Sequence, residues 1–103
     1  MLNLTQNNFE QEVINSDKIV VVKYTATWCT PCKALNPIFK ELYKEINNVK
    51  FAEIDIDMEE KLAQKYMVRA VPCIIIFKDG KEVNRIIGYQ NKEYLKKEIL
   101  KNM

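Results

Sequence analysis

Cys29 and Cys32 stand close together in the segment Trp28-Cys29-Thr30-Pro31-Cys32-Lys33. Just upstream runs Ile19-Val20-Val21-Val22, and downstream the apolar residues recur at helical spacing. The pair therefore falls where a strand hands over to a helix. In an open α/β sheet, sites form at the carboxyl ends of the strands. A sulfur in the first turn of a helix meets unpaired N–H groups and the positive end of the helix dipole, both of which favour an anion. Cys29 is so placed, and only a thiolate attacks a disulfide. Pro31 suits the first turn because it has no N–H to leave unpaired. Cys32, three residues on, returns to the same side of the helix, so the two sulfurs can close a disulfide in a tight loop and reopen it. Two plainer readings stand beside this one. The pair can be half of a metal site, although a four-thiolate zinc site needs a second pair and only Cys73 remains. The thiols can also be inert packing.

Composition narrows the chemistry further. The 103 residues contain no His, which excludes an imidazole base and any zinc site with a His ligand. Sixteen basic residues against fourteen acidic ones leave a net charge of +2, which gives no case for nucleic acid or an anionic membrane as partner. The start, Met1-Leu2-Asn3-Leu4-Thr5, is neither basic nor followed by an apolar stretch, so no signal peptide is expected. The longest apolar run, Cys73 to Phe77, is far too short for a membrane span. A soluble cytoplasmic chain is expected, and its length fits one domain over residues 1–103. Two Gly and three Pro argue against disorder, and three Cys, an odd number, argue against a secreted disulfide framework.

The elements that must position the pair follow from periodicity. Thr5 can cap a helix from about Gln6 to Asn15, with Phe9 and Val13 on one face. Lys18 to Tyr24 reads as a strand buried on both faces. Pro31 to Asn47 reads as a helix whose apolar stripe is Leu35, Ile38, Phe39, Leu42 and Ile46. Pro37 lies inside it and should bend it. Phe51 to Ile56 reads as a strand, Asp57 to Tyr66 as a short helix with Leu62, Ala63 and Tyr66 inward, and Cys73 to Lys78 as a buried strand. Asp79-Gly80 is a hairpin turn, so Lys81 to Ile87 should return antiparallel. Asn91 caps a last helix to Asn102, with Leu95 and Ile99 inward. The acids at the start of the 57–61 segment suit a helix dipole, and the Lys-rich last helix reads as a solvated face. Alternating elements of this kind build an α/β fold with a mixed sheet covered by helices on both faces.

At this point the chain resembles the thioredoxin family over nearly its whole length. The motifs are the Trp28-to-Lys33 segment, Pro37 in the following helix, Val71-Pro72 before a strand, and Gly88 after the last strand. The resemblance implies the thioredoxin fold, a central mixed β-sheet flanked by four helices. It implies reduction of protein disulfides, with Cys29 attacking first and Cys32 resolving the mixed disulfide, so that a redox-active Cys29–Cys32 disulfide forms. It implies a cis Pro72 facing the two cysteines. Trp28, Thr30, Pro31, Ala70, Val71, Pro72 and Gly88 would border the substrate groove, where the backbone of Val71 can pair with an extended segment. No metal or organic cofactor is implied. The partners implied are disulfide-containing protein substrates and a thioredoxin reductase, with the chain acting as a monomer.

Several positions depart from the family pattern. The family has a buried Asp six residues before the first Cys, where this chain has Lys23; its partner on the next strand, usually Lys, is here Glu53. The pair is charge-reversed. Lys23 could snorkel to water and leave Glu53 solvated. It also follows four residues of buried type, where an unpaired ammonium is costly, and a Lys23–Glu53 contact beneath the cysteines is the expectation preferred here. Glu53 would then take the proton role and Lys23 would supply a field that favours thiolates. Thr30 replaces the usual Gly, and no His stands there, which weakens the likeness to disulfide-forming relatives. Cys73 follows Pro72, where Thr or Ala is more familiar, and reads as a small buried hydrophobe rather than a third reactive thiol. The activity expected is a protein-disulfide reductase. A disulfide oxidase or isomerase and a non-enzymatic binding module are the alternatives.

Overall fold

The computed structural model describes residues 1–103. Five strands form one sheet: β1 (Leu2–Asn3), β2 (Ile19–Thr25), β3 (Val49–Asp55), β4 (Cys73–Lys78) and β5 (Lys81–Ile87), in the order β1-β3-β2-β4-β5. β1 and β2 both run parallel to β3, whereas β4 is antiparallel to β2 and β5. The helices are α1 (Thr30–Glu45), α2 (Glu60–Lys65) and α3 (Lys92–Lys101), together with a π-helical segment Glu10–Ile14.

Strand alternation sorts the core into two layers. Val20, Val22 and Tyr24 of β2 face one side with Cys73, Ile75 and Phe77 of β4, and there they meet Phe9, Val13 and Leu62. Val21, Ile74 and Ile76 face the other side, against Leu35, Phe39 and Leu42 of α1 and Leu95 and Ile99 of α3. The central strands are therefore apolar on both faces, which is why β2 and β4 read as unbroken hydrophobic runs. Lys23 is the exception. It lies on the α1 face in register with Glu53 of β3 and Ile74 of β4.

Two local features differ from the pattern read in the sequence. The first helical segment is shorter than Gln6–Asn15 and is π-helical, with the Asn15 N–H donating to the Glu10 carbonyl at 2.9 Å. Its entry is held by the Asn8 side chain, whose Oδ1 accepts the Thr5 N–H at 2.8 Å, and not by a Thr5 side-chain cap. The acids at 57–59 precede α2 rather than opening it, because the Asp55 carboxylate accepts the N–H groups of Asp57 (2.9 Å) and Met58 (3.2 Å) and holds a turn. α1 continues through Pro37 without a break.

The hairpin between β4 and β5 turns on Asp79 (φ 54°) and Gly80 (φ 78°), both left-handed as a two-residue hairpin requires. Gly80 is fixed twice over: a Cβ there would stand 2.6 Å from the Ile14 carbonyl oxygen. The hairpin thus packs its backbone directly on the π-helical segment.

Candidate active site

The end of β2 runs through Ala26 to Cys29, and Cys29 is the N-cap residue of α1 with extended backbone (φ −92°, ψ 108°). Its sulfur accepts the Cys32 N–H at 3.2 Å. A cap position is where first-turn N–H groups lack partners, and here a sulfur fills the place usually taken by a Ser or Asp oxygen. No acid stands in the first turn of α1, while Pro31 occupies its start. Cys29 therefore meets the N–H groups of the helix terminus with no first-turn acid to oppose them. Cys29 and Cys32 are joined as a disulfide with Cα atoms 5.2 Å apart, within the range that a disulfide spans. Both are buried and pack with Ala26, Val71 and Ile56.

The loop before β4 closes over this pair. Val71-Pro72 is a cis peptide, and the Val71 carbonyl oxygen lies 3.6 Å from the Cys29 sulfur. The Gly88 N–H donates to the Pro72 carbonyl at 2.8 Å, which ties the end of β5 to the same loop. Gly88 has φ 88° with open space where a side chain would be, so its backbone conformation, not crowding, calls for glycine. The Val71 backbone makes no hydrogen bond to other backbone. Ala70, Thr30 and Pro31 are exposed, Val71 and Gly88 are half-buried and Pro72 is buried. Trp28 is 65% exposed, and its indole N–H donates to the Asp57 carboxylate at 2.8 Å. The acids at 57–59 therefore do more than complement a dipole, since Asp57 orients the Trp. Nothing in an acid-rich helix start signals that contact.

Glu53, which lines a crevice together with Cys32, pairs with Lys23. Lys23 is 1% exposed and does not reach water. Its ammonium stands 3.3 Å from the Glu53 carboxylate, donates to the Asn36 side-chain oxygen and lies 5.0 Å from the centre of the Phe39 ring. Burial pushes the Lys23 ammonium below its ordinary pKa, and Glu53 opposes that shift. A crevice of 530 Å³ opens beside the disulfide, lined by Cys32, Asn36, Glu53 and Asp55 among others. Asn36 was not singled out by its sequence context. An exposed Asn in a helix is unremarked until the buried lysine it holds is seen.

Cys73 is a free buried thiol on the opposite sheet face, in register with Tyr24. Burial pushes its pKa up, with Arg85 opposing and Glu82 adding. Tyr24 is fully buried, and its hydroxyl has no hydrogen-bond partner. The third cysteine is thus held protonated and away from the helix that carries Cys32. No helix is long and apolar enough to cross a membrane.

Comparison with known proteins gives one consistent likeness. The family model described as Thioredoxin matches residues 1–101. The Thioredoxin of Rickettsia typhi is 42% identical over 94 residues, covering 90% of each chain. That of Chlamydia trachomatis is 37% identical over 99 residues, covering 96% of this chain and 95% of the relative. The Thioredoxin H-type of Fagopyrum esculentum is 39% identical over 87 residues, covering 84% and 75%.

Proposed function

The chain belongs to the thioredoxin family of protein thiol–disulfide oxidoreductases, and on that premise we propose that Cys29 is the attacking thiol and Cys32 the resolving one. The observation that carries this assignment is the Cys29 sulfur at the N-cap of α1, accepting the Cys32 N–H at 3.2 Å. That bond and the helix terminus stabilise the anion on Cys29; both sulfurs are nearly fully buried, at 3% and 1%, so the cap and not exposure separates their roles. The Cys29 thiolate attacks one sulfur of a substrate disulfide. A mixed disulfide forms, and the other substrate sulfur leaves as a thiolate. The Cys32 thiolate then attacks the Cys29 sulfur. The Cys29–Cys32 bond forms and the second substrate thiolate leaves. The substrate has gained two electrons and two protons, and the protein holds the disulfide.

The groove runs past Trp28, Thr30 and Pro31 on one side and Ala70, Val71, Pro72 and Gly88 on the other. Its ligand is an extended polypeptide segment, paired with the free backbone of Val71 in the manner of an added strand. Lys23 and Glu53 form the proton and charge pair for Cys32. Glu53 takes the proton of the Cys32 thiol through the crevice, and the Lys23 ammonium favours the thiolate that remains. Family members work with disulfide-containing proteins and a reductase. For this chain we assign the reductase role to a thioredoxin reductase, the working form to a monomeric single domain, and the location to the cytoplasm, where the dithiol is kept reduced.

Reduction of insulin by the dithiol protein tests the assignment. The parent protein accelerates it; Cys29→Ser is inactive, and Cys32→Ser captures substrate as a stable mixed disulfide on Cys29 without turnover. Equal activity in all three proteins would overturn the reading.

A further inference from the structure

Lys23 is the one charged side chain buried in this protein. An ammonium has three donors and no acceptor, so a buried one must be met from several directions. Glu53 meets it from β3 at 3.3 Å, Asn36 meets it from α1, and the Phe39 ring covers it at 5.0 Å. The remaining charges near it are few. Lys40 of α1 opposes the ammonium, and the register neighbour on β4 is the apolar Ile74. Lys33, Asp55 and Glu59 line the crevice wall.

The Glu53 side chain is 32% exposed, so water competes for its carboxylate. Asn36 supplies the second polar anchor, and it stands four residues after Cys32 in the same helix. Positions i and i+4 lie one above the other on a helix face. Cys32, Asn36 and Glu53 accordingly line one crevice. Helix formation does not call for Asn at this exposed position. Asn is a poorer helix former than Ala by roughly half a kcal/mol. Its contact with Lys23 is what the side chain contributes.

We propose that Asn36 is a positioning residue for disulfide exchange: its carboxamide oxygen fixes the Lys23 ammonium behind the crevice that Asn36 and Glu53 line together with Cys32, so that this charge stabilises the Cys32 thiolate as it resolves the mixed disulfide. This rests on the reading of Lys23 and Glu53 given above. Asn36 touches neither substrate nor sulfur in this scheme and acts through Lys23.

The test is stopped-flow oxidation of the dithiol protein by dithiobis(nitrobenzoate) across pH 5 to 9. The first coloured thiol leaves when Cys29 attacks and the second when Cys32 does, so the two steps are read separately. Asn36→Ala moves the midpoint of the second step up by about half to one pH unit, a drop of roughly threefold to tenfold near neutrality. The first step stays where it was, while the urea midpoint falls modestly because the buried ammonium loses one of its two polar partners. In a Lys23→Met background the same substitution changes nothing, since the charge it positions is gone. A second step that superimposes on the parent in Asn36→Ala, while Lys23→Met shifts it, overturns the role of Asn36 and leaves the Lys23–Glu53 reading standing. An equal shift in both backgrounds also overturns it, because Asn36 would then act independently of Lys23. Superimposed profiles for Asn36→Ala, Lys23→Met and Glu53→Gln alike would remove the underlying reading as well.

Discussion

Replacing Lys23 with Met and Glu53 with Gln, singly and together, measures what the reversed pair does for the fold. At 3.3 Å, two unit charges attract by about 5 kcal/mol at an effective dielectric of 20. Glu53 is about one-third exposed, and solvent screening cuts that to roughly 2 kcal/mol. Glu53→Gln therefore costs about 2 kcal/mol, since the ammonium stays buried with only the Asn36 oxygen and the Phe39 ring to hold it. For a domain of this size that is a fall in Tm of roughly 8 to 16 °C. Lys23→Met removes the buried charge itself, and Glu53 can turn to water. That substitution is neutral or stabilises by roughly 1 to 3 kcal/mol. In the Met background Glu53→Gln costs little, so the double-mutant cycle gives a coupling of about 2 kcal/mol. The pH dependence has a definite sign. Burial holds the Lys23 pKa below its unfolded value of 10.5, so in the alkaline range the unfolded chain binds more protons than the folded one. The penalty for burying the charge is complete below the folded pKa and is relieved as pH rises through it toward 10.5. The advantage of Lys23→Met over the parent therefore shrinks with rising pH. Urea unfolding at neutral and alkaline pH checks both statements. A coupling near zero, or a Met variant less stable by more than about 1 kcal/mol, would refute the reasoning.

Gly80→Ala combines a left-handed backbone with a Cβ placed 2.6 Å from the Ile14 carbonyl, and urea unfolding should show a loss of about 2 to 4 kcal/mol. Cys73→Ala deletes a buried sulfur on the far sheet face and should lower stability by about 1 kcal/mol while insulin reduction proceeds at the parent rate. A large loss of activity in that variant would place the third thiol in the chemistry after all.

How far the fold was legible depended on how much of each element's reason lay in its own residues. β2, β4 and the Asp79-Gly80 hairpin declare themselves, because a strand buried on both faces must be apolar throughout and a two-residue hairpin needs left-handed backbone. β1 was invisible: two residues carry no periodicity, and the pairing partners Ala52 and Glu53 that make Leu2–Asn3 a strand lie some fifty residues away. The Phe9–Val13 spacing suits an ordinary helix and a π-helical one alike, so the π-helical form of Glu10–Ile14 has no signal in its own residues. At the site, the Cys29–Cys32 disulfide and the cis Val71-Pro72 loop are concentrated in short motifs and were legible, as was the oddity of Lys23 after an apolar run. Asn36 and Asp57 were not. Each is a polar residue with an adequate local explanation, and its partner, Lys23 or Trp28, belongs to another element.

The account depends most on the Cys29 sulfur being ionised at the mouth of α1, and the rate of its alkylation in the reduced protein tests that directly. With iodoacetamide at neutral pH, followed by mass spectrometry, the label should enter Cys29 first and at least tenfold faster than a free cysteine, with Cys32 labelled slowly and Cys73 only after unfolding. Labelling of Cys29 no faster than free cysteine, or of Cys32 ahead of it, would contradict the mechanism.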